Sequence, residues 1–169
     1  METNIELLKL MRQAIKQGDI NAVKEMVKKN AGLLEAVTPL GSWLHIAAEC
    51  GNSVMVSYFI DAGLDVNTDG GLAEANPLKA AANNGHLDVV NILYQNGAQF
   101  ETEEATKNPL FGAIYGNHID VVRFLVENGI DITKQYKIGN IEKCNVYEYA
   151  RQFGRTQIAD YLKEKSQTL

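Results

Sequence analysis

Short apolar stripes recur along the chain at helical spacing. In residues 76–98, Val89, Val90 and Leu93 stand four, five and eight positions after Gly85. Residues four apart lie on one face of a helix, and the position between them lies beside that face. A second short segment, rich in small apolar residues, precedes Gly85. The pattern therefore predicts two short helices joined by a tight turn.

The same pattern occurs five times, divided by residues that lie 33, 34, 32 and 37 positions apart. Glycine and asparagine accept the left-handed backbone that a tight turn between helices needs. One stripe is too small to fold alone, but stacked copies would bury each stripe against the next. We therefore predict a single domain that is an all-α solenoid of about five helix-turn-helix units, at about residues 5–35, 40–70, 74–104, 106–140 and 143–166. The dividing residues are Gly18, Gly51, Gly85, Asn117 and Gly154.

The first helix of each unit begins with its own signal. Pro77 and Pro109 are placed for a first helical turn, where their missing N–H is not needed. Asn76 and Asn108 precede them and are suited to cap the helix start. Small residues follow in three of the copies, so we expect these helices to form the tighter, inner layer.

These motifs resemble the ankyrin repeat. The helix-opening tetrapeptide of that family is matched loosely by residues 42–45 (SWLH), 76–79 (NPLK) and 108–111 (NPLF). Its middle signature is matched by residues 85–90 (GHLDVV) and 117–122 (NHIDVV), and its closing signature by residues 63–67 (GLDVN). The resemblance covers about residues 5 to 165. It implies projecting, β-hairpin-like loops between units and a concave groove that binds another protein.

In the family, the inner-helix ends face the groove and vary freely. The resemblance therefore implies partner-binding roles for five residues at these ends and for Trp43, which occupies a position where the family prefers proline. For Trp43, burial against Leu33, Leu34 or Leu40 is an equal alternative. The five residues at inner-helix ends are Glu49, Asn83, Asn84, Tyr115 and Phe153.

The loops between units supply the remaining candidates. Two neighbouring loops are acidic and form either a solvated rim or one side of a complementary charge patch. The loop at 130–144 is about four residues longer than the family's repeat allows, and it places Tyr136 and Lys137 at or near its tip. Packing of Tyr136 and Ile138 against the last repeat is the alternative. The acidic candidates are Asp69, Glu74, Glu101, Glu103 and Glu104.

Composition narrows the partner class. A net charge of −5 and a pI near 5.2 argue against a nucleic-acid partner. No stretch of about 20 apolar residues is present, and the first residues lack the features of a signal peptide. We therefore expect a cytoplasmic protein that does not enter membranes. Cys50 and Cys144 lie far apart, which is typical of reduced thiols and not of a zinc site.

The sequence shows little catalytic chemistry. His45 stands at the tetrapeptide position, and His86 and His118 recur at equivalent positions, so the repeat pattern assigns all three to the scaffold. No nucleophile–histidine–acid set and no phosphate-binding glycine loop can be assembled. We expect no enzyme activity, cofactor, metal or small-molecule substrate. A metal-dependent hydrolase would require a recruited metal ion.

The expected function is therefore protein binding through the groove and loop tips by a chain that is monomeric when unbound. The acidic loops favour a basic partner. Small acidic ankyrin proteins of this kind resemble bacterial examples, some of which are immunity proteins that neutralise a toxin. A scaffold that self-associates is the alternative.

Overall fold

A computed structural model of the protein describes residues 5–71 and 75–167. Within these residues the chain forms ten helices and one small antiparallel sheet. The elements are α1 (Ile5–Gln17), α2 (Ile20–Lys29), α3 (Trp43–Glu49), α4 (Ser53–Asp61), α5 (Pro77–Asn83), α6 (Leu87–Gln95), α7 (Pro109–Tyr115), α8 (Ile119–Glu127), β1 (Tyr136–Ile138), β2 (Ile141–Cys144), α9 (Val146–Gln152) and α10 (Thr156–Ser166).

The helices pack in two layers. Helices α1, α3, α5, α7 and α9 contact one another in sequence order, and α4, α6, α8 and α10 do the same behind them. The inner helices approach closely because their facing residues are small: Ala47, Ala81 and Ala113 are fully buried. The predicted tight inner layer is confirmed. The apolar stripes of the second helices fill the space between the layers.

All five predicted dividing residues have positive φ, between 62° and 74°. Asn117 is the one residue other than glycine with positive φ in the described parts of the chain. At two of these positions a second constraint also requires glycine. A side chain at Gly51 or Gly85 would overlap the imidazole of His86 or His118, which belongs to the following helix pair. The turn and the stacking of repeats therefore both require glycine there.

The helix-opening asparagines cap as predicted. Asn76 Oδ1 accepts from the backbone N–H of Lys79 at 3.2 Å, and Asn108 Oδ1 accepts from that of Leu110 at 2.9 Å. Both side chains are buried and use their amide nitrogens to reach the next loop. Each cap thus starts a helix and also joins two repeats.

The long loop before α9 folds into the small sheet. Strands β1 and β2 pair antiparallel, with Tyr136 opposite Cys144 and Ile138 opposite Ile141. Gly139, at φ 57°, makes the turn between them. The extra residues of the last spacing are therefore used in a hairpin that lies at one end of the inner layer.

Candidate partner-binding surface

His45 has the structural role that the repeat pattern predicts. It is buried, and its Nδ1 accepts from the backbone N–H of Ser42 at 3.2 Å. This leaves the proton on Nε2, which donates to the carbonyl of Ala75 at 2.9 Å. Burial lowers the pKa of the imidazole, so the ring is neutral, and its two hydrogen bonds connect two repeats.

In three of the helix pairs, the residue after the divider forms a hydrogen bond with the inner helix of the preceding pair. His86 Nε2 bonds to the carbonyl of Glu49 at 3.1 Å, and His118 Nε2 bonds to that of Asn83 at 3.2 Å. Arg155 takes the same role in the last repeat, where its guanidinium donates to the carbonyl of Tyr115 at 2.6 Å. These bonds fix the backbone from which three of the predicted binding side chains project.

Those side chains are exposed, as the sequence predicted. Glu49, Asn83 and Asn84 are all accessible at the ends of α3 and α5. Tyr115 and Phe153 are 61% and 41% exposed, and their ring centroids lie 5.4 Å apart in an edge-to-face arrangement. Exposed aromatic rings held in one geometry are typical anchors of protein interfaces.

The two rings end a longer row of aromatic contacts, which we call the aromatic row. Successive centroids lie 5.0, 4.8, 4.6 and 5.4 Å apart, so each ring restrains its neighbour. The row runs from the buried side chain of Tyr136 in the hairpin to the exposed rings at the ends of α7 and α9. Its members are Tyr136, Phe111, Tyr149, Phe153 and Tyr115.

The prediction that Tyr136 lies exposed at a loop tip is wrong. The residue is only 6% exposed, and its hydroxyl donates to the carbonyl of Thr102 at 2.8 Å and accepts from Asn108 Nδ2 at 2.9 Å. The side chain is buried as the alternative predicted, but its hydrogen-bond and ring partners are Thr102, Asn108 and Phe111, in α7 and the loop before it, and not residues of the last repeat. Its neighbour Lys137 is exposed and forms a 2.7 Å ion pair with Glu142 across the hairpin.

The prediction of a binding role for Trp43 is also wrong. The side chain is fully buried, and its indole N–H donates to the carbonyl of Leu33 at 2.6 Å. Leu33 is itself buried in the same core. A buried tryptophan needs a partner for its N–H, and the segment after α2 supplies it. Trp43 therefore cannot contact a partner protein.

Lys107, at the end of the second acidic loop, forms an ion pair with Asp69 of the first acidic loop. Its ammonium is 2.5 Å from Asp69 Oδ2 and 3.8 Å from Glu101 Oε2. The carboxyl of Glu101 is half-buried, and burial, followed by repulsion from Asp69, raises its pKa. The hydrogen bond to Asp69 raises the pKa of Lys107. Asp69 and Glu101 thus share Lys107 in a partly exposed ion-pair cluster, so neither presents an unpaired carboxylate to a partner.

The other acidic candidates are more accessible. Glu103 is 92% exposed at its side chain although its carboxylate lies 2.9 Å from Lys134 Nζ. Glu104 is exposed and accepts from the hydroxyl of Thr106 at 3.3 Å. Glu74 lies outside the described residues. The four described acidic candidates are therefore accompanied by two lysines, Lys107 and Lys134, which reduces the predicted acidic patch.

Two clefts open along the inner layer beside these residues. The larger, of about 490 Å³, is lined by Ile138, Phe111, Tyr115 and Tyr149, and we call it the aromatic cleft. The smaller, of about 190 Å³, reaches Glu49 and is called the narrow cleft. The residues that separate the two and line both are Lys79, Asn83 and Asn84.

Lys79 is the residue of this surface that sequence reasoning missed. It is 6% exposed, and its ammonium donates to the carbonyl of Asn108 at 3.0 Å. No carboxylate within the described residues forms an ion pair with it, and burial lowers its pKa to about 8. The available signal was the tetrapeptide itself, because Lys79 occupies the position that His45 holds in the preceding repeat.

The described residues contain no group of three or more His, Cys, Asp or Glu side chains placed to hold a metal ion. None of the described helices is both long enough and apolar enough to cross a bilayer. Both cysteines in the described residues are free thiols.

Comparison with known proteins agrees with this architecture. A family model described as ankyrin repeats (3 copies) matches residues 10–104 and 44–136. The chain is also 32% identical over 104 residues to Palmitoyltransferase AKR1 of Lachancea kluyveri. That match takes in 59% of this chain but only 14% of the transferase. The family match spans most of the stacked helices, and this chain belongs to the ankyrin-repeat family.

Proposed function

We propose that the protein acts by binding a partner protein along its inner layer, across the two clefts and the neighbouring loop tips. Ankyrin repeats are protein-interaction modules and generally non-catalytic. The observation that carries the proposal is the exposed ring pair, Tyr115 and Phe153, held rigidly beside the clefts. The accessible side chains of Glu49, Asn83 and Asn84 continue the same surface.

A basic partner is the finer part of the proposal. The chain carries a net charge of −5, and Glu49, Glu103 and Glu104 project accessible carboxylates near the clefts. Such charges speed association with a positively charged surface more than they increase affinity. Lys107 is paired with Asp69 and Glu101, whereas the side chain of Glu103 stays 92% exposed beside Lys134, so we place the attraction at these three residues and not at Asp69 or Glu101.

The type of partner and the consequence of binding stay predictions. Neutralisation of a toxin in the cytoplasm is one such prediction, and self-association of the chain into a scaffold is the competing one. Sedimentation over a range of protein concentrations separates the two. A monomer at all concentrations favours a different protein as partner, whereas a mass that rises with concentration favours the scaffold.

The proposed surface is tested by affinity capture with three variants in parallel. We expect Tyr115→Ala and Phe153→Ala to lose the captured partner. Val54→Ala removes a 61% exposed apolar side chain from α4, in the other layer, and serves as the matched control. Retention of the same partner by both aromatic variants would contradict the proposal.

The basic-partner proposal has its own test, which uses the partner once it is captured. We expect Glu103→Lys with Glu104→Lys to slow association and to flatten its dependence on salt. Asp160→Lys with Glu164→Lys, at exposed positions on α10, changes the net charge by the same amount and is the control. Equal association rates for the loop variant and the native chain would show that the loops do not attract the partner.

A further inference from the structure

The aromatic cleft is built to receive a ring. Phe111 lies edge-on to Tyr149 at 4.8 Å, and Tyr149 contacts Phe153 at 4.6 Å, so the walls are restrained before any partner arrives. Tyr115 and Ile138 complete the apolar lining. A pocket with preordered aromatic walls binds a planar apolar side chain at a low entropic cost.

The charge inside the cleft excludes a basic occupant. Among the described residues that line it, Lys79 is the charged one, and no carboxylate is present. The ammonium of Lys79 makes a single hydrogen bond within the described residues, to the carbonyl of Asn108. A second cation beside it would be repelled, whereas an aromatic ring presents a negative face and is attracted.

Asn83 adds a polar group suited to an extended chain. Its side-chain amide forms no hydrogen bond with the described residues. The amide nitrogen of Asn84, in contrast, donates to the carbonyl of Ala80 at 2.9 Å. The Asn83 side chain lies directly against Gly112, where any larger residue would overlap it. An amide held between two clefts offers both a donor and an acceptor to the backbone of a passing strand.

The carboxylates of Glu49 and Glu104 at the edges of the clefts are negative, opposite in charge to the ammonium of Lys79 that lines them. Glu104 accepts from Thr106, which lines the aromatic cleft, and Glu49 lines the narrow cleft. Neither carboxylate forms an ion pair with the described residues. A cation is therefore favoured at the mouths of the clefts and disfavoured inside.

From this complementarity we infer that the surface takes an extended segment of a partner protein, with an aromatic side chain in the aromatic cleft, its backbone on Asn83, and a basic residue beside the aromatic one. The inference rests on the proposed function and specifies the chemistry of its partner. The basic residue of the partner forms an ion pair with Glu104 or Glu49, the carboxylates at the mouths of the clefts.

The test is a selection from a display library of random linear peptides on the purified full-length chain. We expect enriched peptides to combine an aromatic residue with a nearby Arg or Lys. Synthetic copies should lose at least about tenfold in affinity for Tyr115→Ala and for Gly112→Val, which displaces Asn83. They should bind Val54→Ala as they bind the native chain. Circular dichroism and thermal unfolding confirm that each variant is folded, and Asn83→Ala replaces Gly112→Val if the latter unfolds.

The other outcomes separate the inference from the proposed function. Peptides whose affinity depends on Tyr115 but which lack an aromatic residue, or which are acidic, overturn the inference. They leave the proposed binding surface supported. Peptides that bind all variants equally contradict both. Absence of any enrichment overturns the extended segment as ligand, and the capture experiment with Tyr115→Ala then decides alone whether the surface binds a folded partner.

Discussion

Lys79 should make the stability of the protein rise with pH above neutrality. Its pKa is lowered to about 8 in the folded chain by burial, from an ordinary value of 10.5. Between these two values the folded chain has released the proton while the unfolded chain still holds it. Stability rises with pH wherever the unfolded state binds more protons. The free energy of unfolding therefore increases as pH passes through this window.

The size of the effect follows from the two pKa values. From pH 7 to pH 9.5 the contribution of Lys79 to the free energy of unfolding rises by about 2 kcal/mol. The contribution is unfavourable at pH 7, because a charged ammonium is held in the interior with a carbonyl as its described partner. Above pH 10.5 the penalty is gone, because both states are neutral.

The assay is urea unfolding followed by circular dichroism at pH 7 and pH 9.5. We compare the native chain with Lys79→Met, which keeps the length of the side chain and removes the charge. The lost hydrogen bond and the altered packing affect the variant at both pH values, so they cancel when the change with pH is compared. Lys28→Met, at an exposed position on α2, controls for the loss of a lysine.

The native chain and Lys28→Met should gain about 2 kcal/mol more than Lys79→Met between the two pH values. An identical pH dependence of all three proteins would refute the reasoning. It would mean that the pKa of Lys79 is not lowered in the folded protein, because its ammonium is solvated or paired.

Three further predictions test the packing. Gly85→Val should cost well over 1 kcal/mol, because it strains a residue at φ 74° and displaces the ring of His118; an unchanged thermal midpoint would contradict the stacking of His118 on that turn. Leu93→Ala should cost about 2–5 kcal/mol in urea unfolding, since it empties a fully buried position. Trp43→Phe should cost about 1–3 kcal/mol because the carbonyl of Leu33 loses its donor, without any loss of partner binding.

Much of this fold could be predicted from the sequence because the same pattern of residues repeats along the chain. The spacing of the dividing residues predicted where the turns fall, and Asn117 could be placed among four glycines because only a few residue types accept positive φ. The apolar stripes predicted the buried faces of the second helices, because neighbouring copies cover the same positions. The inner-helix ends, including Asn83 and Tyr115, were likewise placed correctly on the surface.

The exceptions are residues whose partners come from another repeat. Trp43 and Tyr136 are aromatic residue types that often bind partners, but Trp43 is hydrogen-bonded to Leu33, ten residues earlier, and Tyr136 to Thr102, 34 residues earlier. Lys79 looks like an ordinary polar residue at the start of a helix until α7 and the preceding loop cover it. Lys107 likewise looks like one cation in an acidic loop until Asp69, 38 residues away, comes into contact.

Local periodicity thus determined the backbone and the layers of this protein, because the information for a repeat lies within the repeat and its neighbours. Which side chains remain available to a partner was decided only by the tertiary structure. Apart from the hydrogen bond between Trp43 and Leu33, which spans ten positions, the deciding contacts join residues about 30 to 40 positions apart, or roughly one repeat. The spacing of apolar residues does not predict those contacts.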